Sequence, residues 1–444
     1  MTLSIAILAA GAGGMYCGSC LRDGALAAAL RRAGHRAALV PMYTPLRLEE
    51  QTGADGEVFY GGVNVYLQHA LPLFRRTPRP LDWLLDRPAL LKVAGRFGAQ
   101  ASPARLGPLT LSVLRGESGP AAKELRRLLA FLRDDVRPQV VSVPNLMFIG
   151  LARLLYRELG ASVVCELTGE DLFLDRLIEP YRAEAQAIIR ERASDVSAFV
   201  ATSAYYAGRM SGYLDIDRSR IAVVHPGVPA AYVADDVPAT PAARPPTVGY
   251  VARVCPEKGW GQLLDALALL RRMPGMADAR VVAGGYLGPG DRRWFEDVTR
   301  RADGVRYVGE LDRRAKLDLL DSIDVFCVPS VYAEAKGIYV LEAMARGVPV
   351  VQPAHGSFPE LIERTGGGVL VPPDDAAALA EGLASLLCDS GRRAALGRAG
   401  RDAIRDGFTE DHMAAKMLPV YRGAIDRARS THSATADVTC GQTA

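Results

Sequence analysis

The sequence predicts an α/β protein made of two doubly wound, Rossmann-like parallel-sheet domains facing a cleft. Three observations carry this. Short apolar runs, of the kind that form strands buried on both faces, alternate with segments of helical spacing along most of the chain. Its 444 residues exceed what one hydrophobic core usually supports. A stretch rich in Ala, Pro and Asp, residues 229–246, parts two such alternating halves and reads as a linker.

In the first half, residues 1–228, the opening run 3–8 reads as a strand and Gly11-Ala-Gly-Gly14 as a glycine turn. Residues 21–32 have the spacing of an amphipathic helix that stops at Gly34, and 37–40 form the next strand. The glycine turn invites a dinucleotide reading, which fails on two residues. Gly-x-Gly-x-x-Gly needs glycine where Tyr16 stands, and the second strand ends in Val40-Pro-Met-Tyr43 with no acid to hold a ribose. NAD is therefore not expected. A central strand over 163–168 leads into Gly169-Glu170-Asp171, and Ile221-Ala-Val-Val-His-Pro-Gly-Val228 closes the half. His225, a lone histidine in that closing turn, reads as a hinge residue rather than a catalyst.

The second half, residues 247–410, repeats the rhythm. A strand at 247–252 runs into Arg253-Val-Cys-Pro-Glu-Lys258-Gly259, and 262–270 follows with apolar residues at helical spacing. Arg253 and Lys258 thus leave a strand end just before a helix, where their charges can meet a diphosphate. Further strands are predicted at 280–285, 325–328 and 349–353, and strands each running into a turn within 305–309 and 368–374. Between the strands at 325–328 and 349–353 lies Tyr332-Ala-Glu334-Ala-Lys-Gly337-Ile-Tyr-Val-Leu-Glu342, in which a loop carries Glu334 and a helix from Ile338 to Arg346, capped by Gly347, carries Glu342. The amides of Gly337, Ile338 and Tyr339 open that helix and suit an anion. Residues 411–429 read as a C-terminal helix crossing back to the first domain, and 430–444 as a flexible tail.

This stretch, with Pro329-Ser330 before it and Leu341-Glu-Ala-Met-Ala-Arg-Gly-Val-Pro-Val350 after it, resembles the Glu-x7-Glu signature of retaining glycosyltransferases of family 4, which have the two-domain GT-B fold. The resemblance covers residues 3 to about 421, specific in the second half and generic in the first. It implies that Glu334 lies near the sugar and diphosphate, that Glu342 holds the nucleotide ribose, and that Arg253 and Lys258 hold the pyrophosphate. It implies that Val308 and its turn run beside the base, and that Gly13 and Gly14 close over the donor phosphates. His355-Gly-Ser-Phe-Pro-Glu360 resembles the family's glycine-rich loop. One departure stands out. Many relatives carry a histidine after the central strand of the first domain, where this chain has Glu170 and Asp171, so these are the candidates for the sugar or acceptor side.

The chemistry implied is transfer of a hexose-like sugar from a nucleotide-diphosphate sugar to a small-molecule or glycan acceptor. The leaving diphosphate itself accepts the acceptor's proton on the same face, with no metal and no cofactor; no Asp-x-Asp motif stands in a suitable loop. An epimerase or phosphorylase on the same fold, or a non-catalytic nucleotide-sugar-binding scaffold, are the alternatives. UDP, GDP and ADP donors share the contacts described, and neither the acceptor nor the oligomeric state is legible.

Composition fits an ordinary soluble enzyme, with 49% hydrophobic and 23% charged residues. A net charge of +3 without a basic stripe argues against nucleic acid. Seven scattered cysteines indicate a reducing, cytoplasmic compartment. Cys17-Gly-Ser-Cys20 reads as a tight turn, since no second pair stands at metal-ligand spacing. Of only six lysines, Lys258 and Lys336 fall inside the motifs. Residues 71–114 form an insertion rich in Pro, Arg and Leu, with seven basic and two acidic residues between Arg75 and Arg105. Three readings stay open for it: an acceptor lid, a peripheral contact with the inner membrane face, or plain packing on the first domain.

Overall fold

The structure is a computed structural model that describes residues 1–11, 18–42, 103–118, 122–236 and 244–440. Gly13, Gly14 and Cys17 lie outside the described residues, as do residues 71–102 of the insertion; residues 103–114 of it are helical. The chain divides into two compact units, one of residues 1–224 with 413–444, the other of residues 225–412.

The first unit holds a six-stranded, all-parallel sheet. Its strands are β1 (Ser4–Ala9), β2 (Arg36–Pro41), β3 (Val140–Val143), β4 (Ser162–Leu167), β5 (Ala198–Ala201) and β6 (Ile221–Val223), in the order β2-β1-β3-β4-β5-β6. Runs such as Ser-Ile-Ala-Ile-Leu-Ala in β1 are buried at every position, as a parallel strand covered by helices on both faces requires. The helix Gly18–Arg32 differs from the amphipathic expectation in one respect: its second turn buries Arg22 and Asp23. Both are held by charge rather than by apolar contact. The Arg22 guanidinium pairs with Glu166 of β4 and lies 3.1 Å from Asp23, while Ser142 of β3 donates to Glu166 at 3.0 Å. Burial of these charges is tolerable because each faces an opposite one.

The last helix, Glu410–Cys440, runs eleven residues past the predicted end at Arg429. Residues 430–440 contain neither glycine nor proline, so nothing in them breaks a helix already nucleated by packing. Met413, Ala414, Met417, Tyr421 and Ala424 from this helix enter the core of the first unit beside Ile5, Ile7 and Leu30.

The second unit holds another all-parallel sheet, with strands β7 (Thr247–Val251), β8 (Arg280–Gly284), β9 (Val305–Tyr307), β10 (Val325–Phe326), β11 (Val350–Pro353) and β12 (Gly368–Val371). Their order is β12-β11-β10-β7-β8-β9. β10 pairs only at Val325 and Phe326 and is shorter than the predicted 325–328, although Cys327 and Val328 remain fully buried. In this order the winding reverses between β7 and β10, so loops leaving those two neighbours diverge and open a crevice beyond their carboxyl ends.

Candidate functional site

Arg253 and Lys258 follow β7, and Glu334 follows β10, so the predicted donor residues flank the reversal point. Arg253 stands exposed just past the strand. A short helical turn, Pro256–Lys258, then ends at Gly259, whose φ of +71° suits glycine. A Cβ there would lie 1.8 Å from the Pro329 carbonyl oxygen, so the two loops meet backbone to backbone. The Val331 amide donates to the Glu257 carbonyl at 3.0 Å and fastens the contact.

That contact places the Lys258 ammonium on the Glu334 carboxylate. Both side chains are largely buried, and Lys258 Nζ also stands 4.8 and 4.9 Å from the ring centres of Tyr332 and Tyr339. The two tyrosine hydroxyls donate to the same Glu334 oxygen, Oε2, at 3.2 and 3.0 Å. Among the described residues Oε1 of Glu334 has no hydrogen-bond partner. Burial pushes the Glu334 carboxyl upward, but Lys258, Lys336 and the Tyr339 hydroxyl outweigh it and hold the group down at about 2. Glu334 is therefore an anion throughout the neutral range, with one oxygen anchored and the other available.

The loop after β11 seats the Glu334 backbone. Gly356 has φ +64°, and a Cβ on it would lie 2.4 Å from the Glu334 amide nitrogen; the neighbouring Ser357 amide donates to the Glu334 carbonyl at 2.7 Å. Gly337, also left-handed at φ 63°, caps the helix Ile338–Ala345, whose first amides have no intrahelical acceptor. Glu342, one turn further on, pairs with Lys316 at 2.6 Å, and Lys316 in turn stands 4.9 Å from the Tyr232 ring centre. Val308 is 40% exposed at the end of β9, its amide bonded to the Ala283 carbonyl at 2.9 Å.

The second unit thus brings Arg253, Lys258, Val308, Glu334, Gly337, Ile338, Tyr339 and Glu342 to the carboxyl ends of β7, β9 and β10 and the start of one helix. Sequence reasoning missed Lys316, although the scarcity of lysine that singled out Lys258 applies equally to it. It also missed the hydroxyls of Tyr332 and Tyr339, whose role depends on a loop geometry no spacing reveals. His225, read from the sequence as a hinge residue, begins the second unit and shares a hydrogen bond of 2.6 Å with Glu360, which belongs to the helix Phe358–Thr365 after the glycine loop. Phe408 covers its ring edge-on, with ring centres 5.6 Å apart.

Glu170 and Asp171 lie in the first unit, after β4. Both are turned to internal partners. Glu170 accepts from the amides of Leu146 at 3.2 Å and Thr168 at 2.7 Å, and Asp171 accepts from the Tyr206 hydroxyl at 2.7 Å and Arg209 Nε at 2.5 Å. The expectation that they serve the sugar or acceptor side gains no free carboxylate oxygen from Asp171, whose two oxygens are both engaged. Burial pushes the Glu170 carboxyl up to about 7, against the pull of the amides it accepts from.

Comparison with known proteins fits this geometry. Residues 235–403 match the family described as glycosyl transferases group 1. Phosphatidyl-myo-inositol mannosyltransferase of Mycobacterium leprae is 34% identical over 170 residues, covering 37% of this chain and 43% of the relative. D-inositol 3-phosphate glycosyltransferase of Salinispora tropica is 34% identical over 257 residues, 53% of each chain. The chain spans about half the length of the curated relatives it matches. Among solved structures, sucrose-phosphate synthase from Thermosynechococcus elongatus superposes with TM-score 0.69 at 19% identity, over 94% of this chain and 98% of that one. HepE of Anabaena, solved with UDP and glucose, gives 0.64 at 15% identity over 94% and 99%. The fold is GT-B, with two Rossmann-like parallel-sheet units.

Proposed function

We propose that this protein is a retaining glycosyltransferase of family 4 that transfers a hexose-like sugar from a nucleotide-diphosphate sugar to a small-molecule or glycan acceptor. The observation that carries this reading is the Lys258–Glu334 pair at the reversal point of the second sheet, beside a helix N-terminus that has no side-chain cap, within the segment that matches the glycosyltransferase family. On this reading the donor diphosphate lies between Arg253, Lys258 and the amides of Gly337, Ile338 and Tyr339. The bond from the anomeric carbon to the diphosphate breaks, the acceptor oxygen bonds to the same carbon from the same face, and its proton passes to the departing diphosphate oxygen. Positive charge fixed in place before the reaction stabilises that oxygen more in the transition state than in the bound donor. Glu342, held by Lys316, takes the ribose hydroxyls. The free oxygen of Glu334 faces the sugar hydroxyls as an acceptor that stays ionised.

The names of the two relatives direct the choice of acceptors to test toward inositol and its phosphates. The deciding experiment is release of nucleoside diphosphate from a panel of UDP-, GDP- and ADP-hexoses with and without inositol, inositol phosphate and short glycans. One donor consumed only in the presence of an acceptor, giving an axial product from an axial donor, is the expected outcome. An inverted product, or conversion of donor with no acceptor present, would refute it. Chelation with EDTA should leave the rate unchanged.

A further inference from the structure

The second unit has another cavity, of about 630 Å³, at the opposite ends of its strands. Thr247 and Arg280 start β7 and β8 there, Arg306 lies in β9, Asp324 precedes β10, and the helix Ser390–Gly407 begins on its wall. The wall is basic: Arg244, Arg280, Arg306, Arg393 and Arg398 face two aspartates, Asp321 and Asp324. Both acids are already matched. Asp324, buried, accepts from Arg244 at 2.9 Å and from the Thr247 amide at 2.8 Å, with Arg393 at 3.9 Å. Asp321 is gripped by both arms of Arg346, each at 2.7 Å.

That leaves Arg280, Arg306 and Arg398, none of which pairs with a carboxylate among the described residues. Arg280 has only the Thr247 hydroxyl, 2.9 Å from its Nε. The Nε of Arg244 is buried without a partner. Arg280, Arg306 and Arg398 are exposed, so water screens their mutual repulsion, but their charges converge on one hollow with no acid left to neutralise them among the described residues. A planar guanidinium fork is the side chain best matched to phosphoryl oxygens. The helix that begins on the wall adds no free positive end, because the Asp389 carboxylate caps it, accepting from the Arg392 amide at 2.8 Å. The volume suits a small ligand. We propose that this cavity binds a small soluble anion carrying two or more phosphoryl groups, at a site separate from the one beside Glu334.

Inorganic pyrophosphate is the probe, added to full-length protein carrying Arg253→Ala and Lys258→Ala so that the first site does not report. Titration calorimetry should show binding that weakens about tenfold or more when Arg280, Arg306 and Arg398 are all replaced by glutamine. Amide exchange should slow at residues 321–324 and 390–398. The single exposed change Arg306→Glu should weaken binding in the same direction, and it carries the test if the triple variant does not fold. Affinity unchanged in both variants, or slowed exchange confined to 253–259 and 334–342, would overturn the proposal. Sedimentation with vesicles containing a phosphorylated inositol lipid, uncompeted by pyrophosphate, would also overturn it, assigning the arginines to a membrane surface.

Discussion

Lys258 and Glu334 illustrate how far one buried ion pair can shape a site. The pair is desolvated, so its worth depends on the extra hydrogen bonds from Tyr332 and Tyr339 that accompany it. Removing Lys258 leaves the buried Glu334 with two hydroxyls and the more distant charge of Lys336; Lys258→Ala is expected to lower turnover by roughly 10² to 10³. Glu334→Gln should lower it as well while keeping the tyrosine contacts, so that a cooperative melt with lost diphosphate release separates chemistry from folding. The two unusual carboxyls respond to pH in opposite senses. Glu334 is held below its ordinary 4.5, so the stability it contributes is present above that value and disappears as pH falls toward about 2. Glu170 is raised to about 7, so the folded chain keeps a proton that the unfolded chain has released between about 4.5 and 7. Wild type should therefore lose stability relative to Glu170→Gln as pH rises through that window, measured by denaturant midpoints. A difference that stays flat with pH would show Glu170 to be an ordinary carboxylate.

At the scale of elements, the site is a meeting of loops held by glycines that cannot be replaced. Gly356 combines a left-handed backbone with a Cβ position 2.4 Å from the Glu334 nitrogen. Gly356→Ala must therefore shift either its own loop or Glu334. We expect a loss of about 1–3 kcal/mol together with a fall in turnover. Gly366→Ala makes a useful control, because its φ of +62° is equally left-handed but a Cβ there meets nothing nearer than 3.6 Å. It should lower stability by a comparable or smaller amount and leave turnover intact, so activity assays on the two variants distinguish strain at the site from strain in general. The short β10 fits the same picture. Its chain leaves the sheet after Phe326, and Cys327, Val328 and Pro329 carry the backbone, still buried, to the contact with Gly259.

For the whole molecule, the chain's end matters to its beginning. The helix Glu410–Cys440 supplies Met417 and Tyr421, both fully buried, to the core that β1 and the helix Gly18–Arg32 build. Met417→Ala should cost that unit about 2–5 kcal/mol, seen as a lowered calorimetric transition, while the nucleotide-sugar binding proposed for residues 225–412 is retained. A melt unchanged by this substitution would mean that the helix rests on the core without supporting it.

The class of fold was legible because it depends on local periodicity. Continuous apolar runs and helical spacings alternate whatever the chain does at long range, and the motif around Glu334 and Glu342 sits in residues adjacent in sequence. What spacing cannot express is which loops become neighbours. Sequence places Lys258 and Glu334 seventy-six residues apart; only the strand order, with β7 beside β10, brings them together. The same holds for Lys316 under Glu342, for Glu360 against His225, and for Arg22 against Glu166. It holds equally for Glu170 and Asp171, which as sequence are two acids after a strand and as structure are acids facing inward to Leu146, Thr168, Tyr206 and Arg209. The sequence by itself determined the periodicities and the residues of the motif proposed to hold the donor. Tertiary structure alone decided which charges meet, because the energy of a buried charge depends on the partner that topology delivers to it.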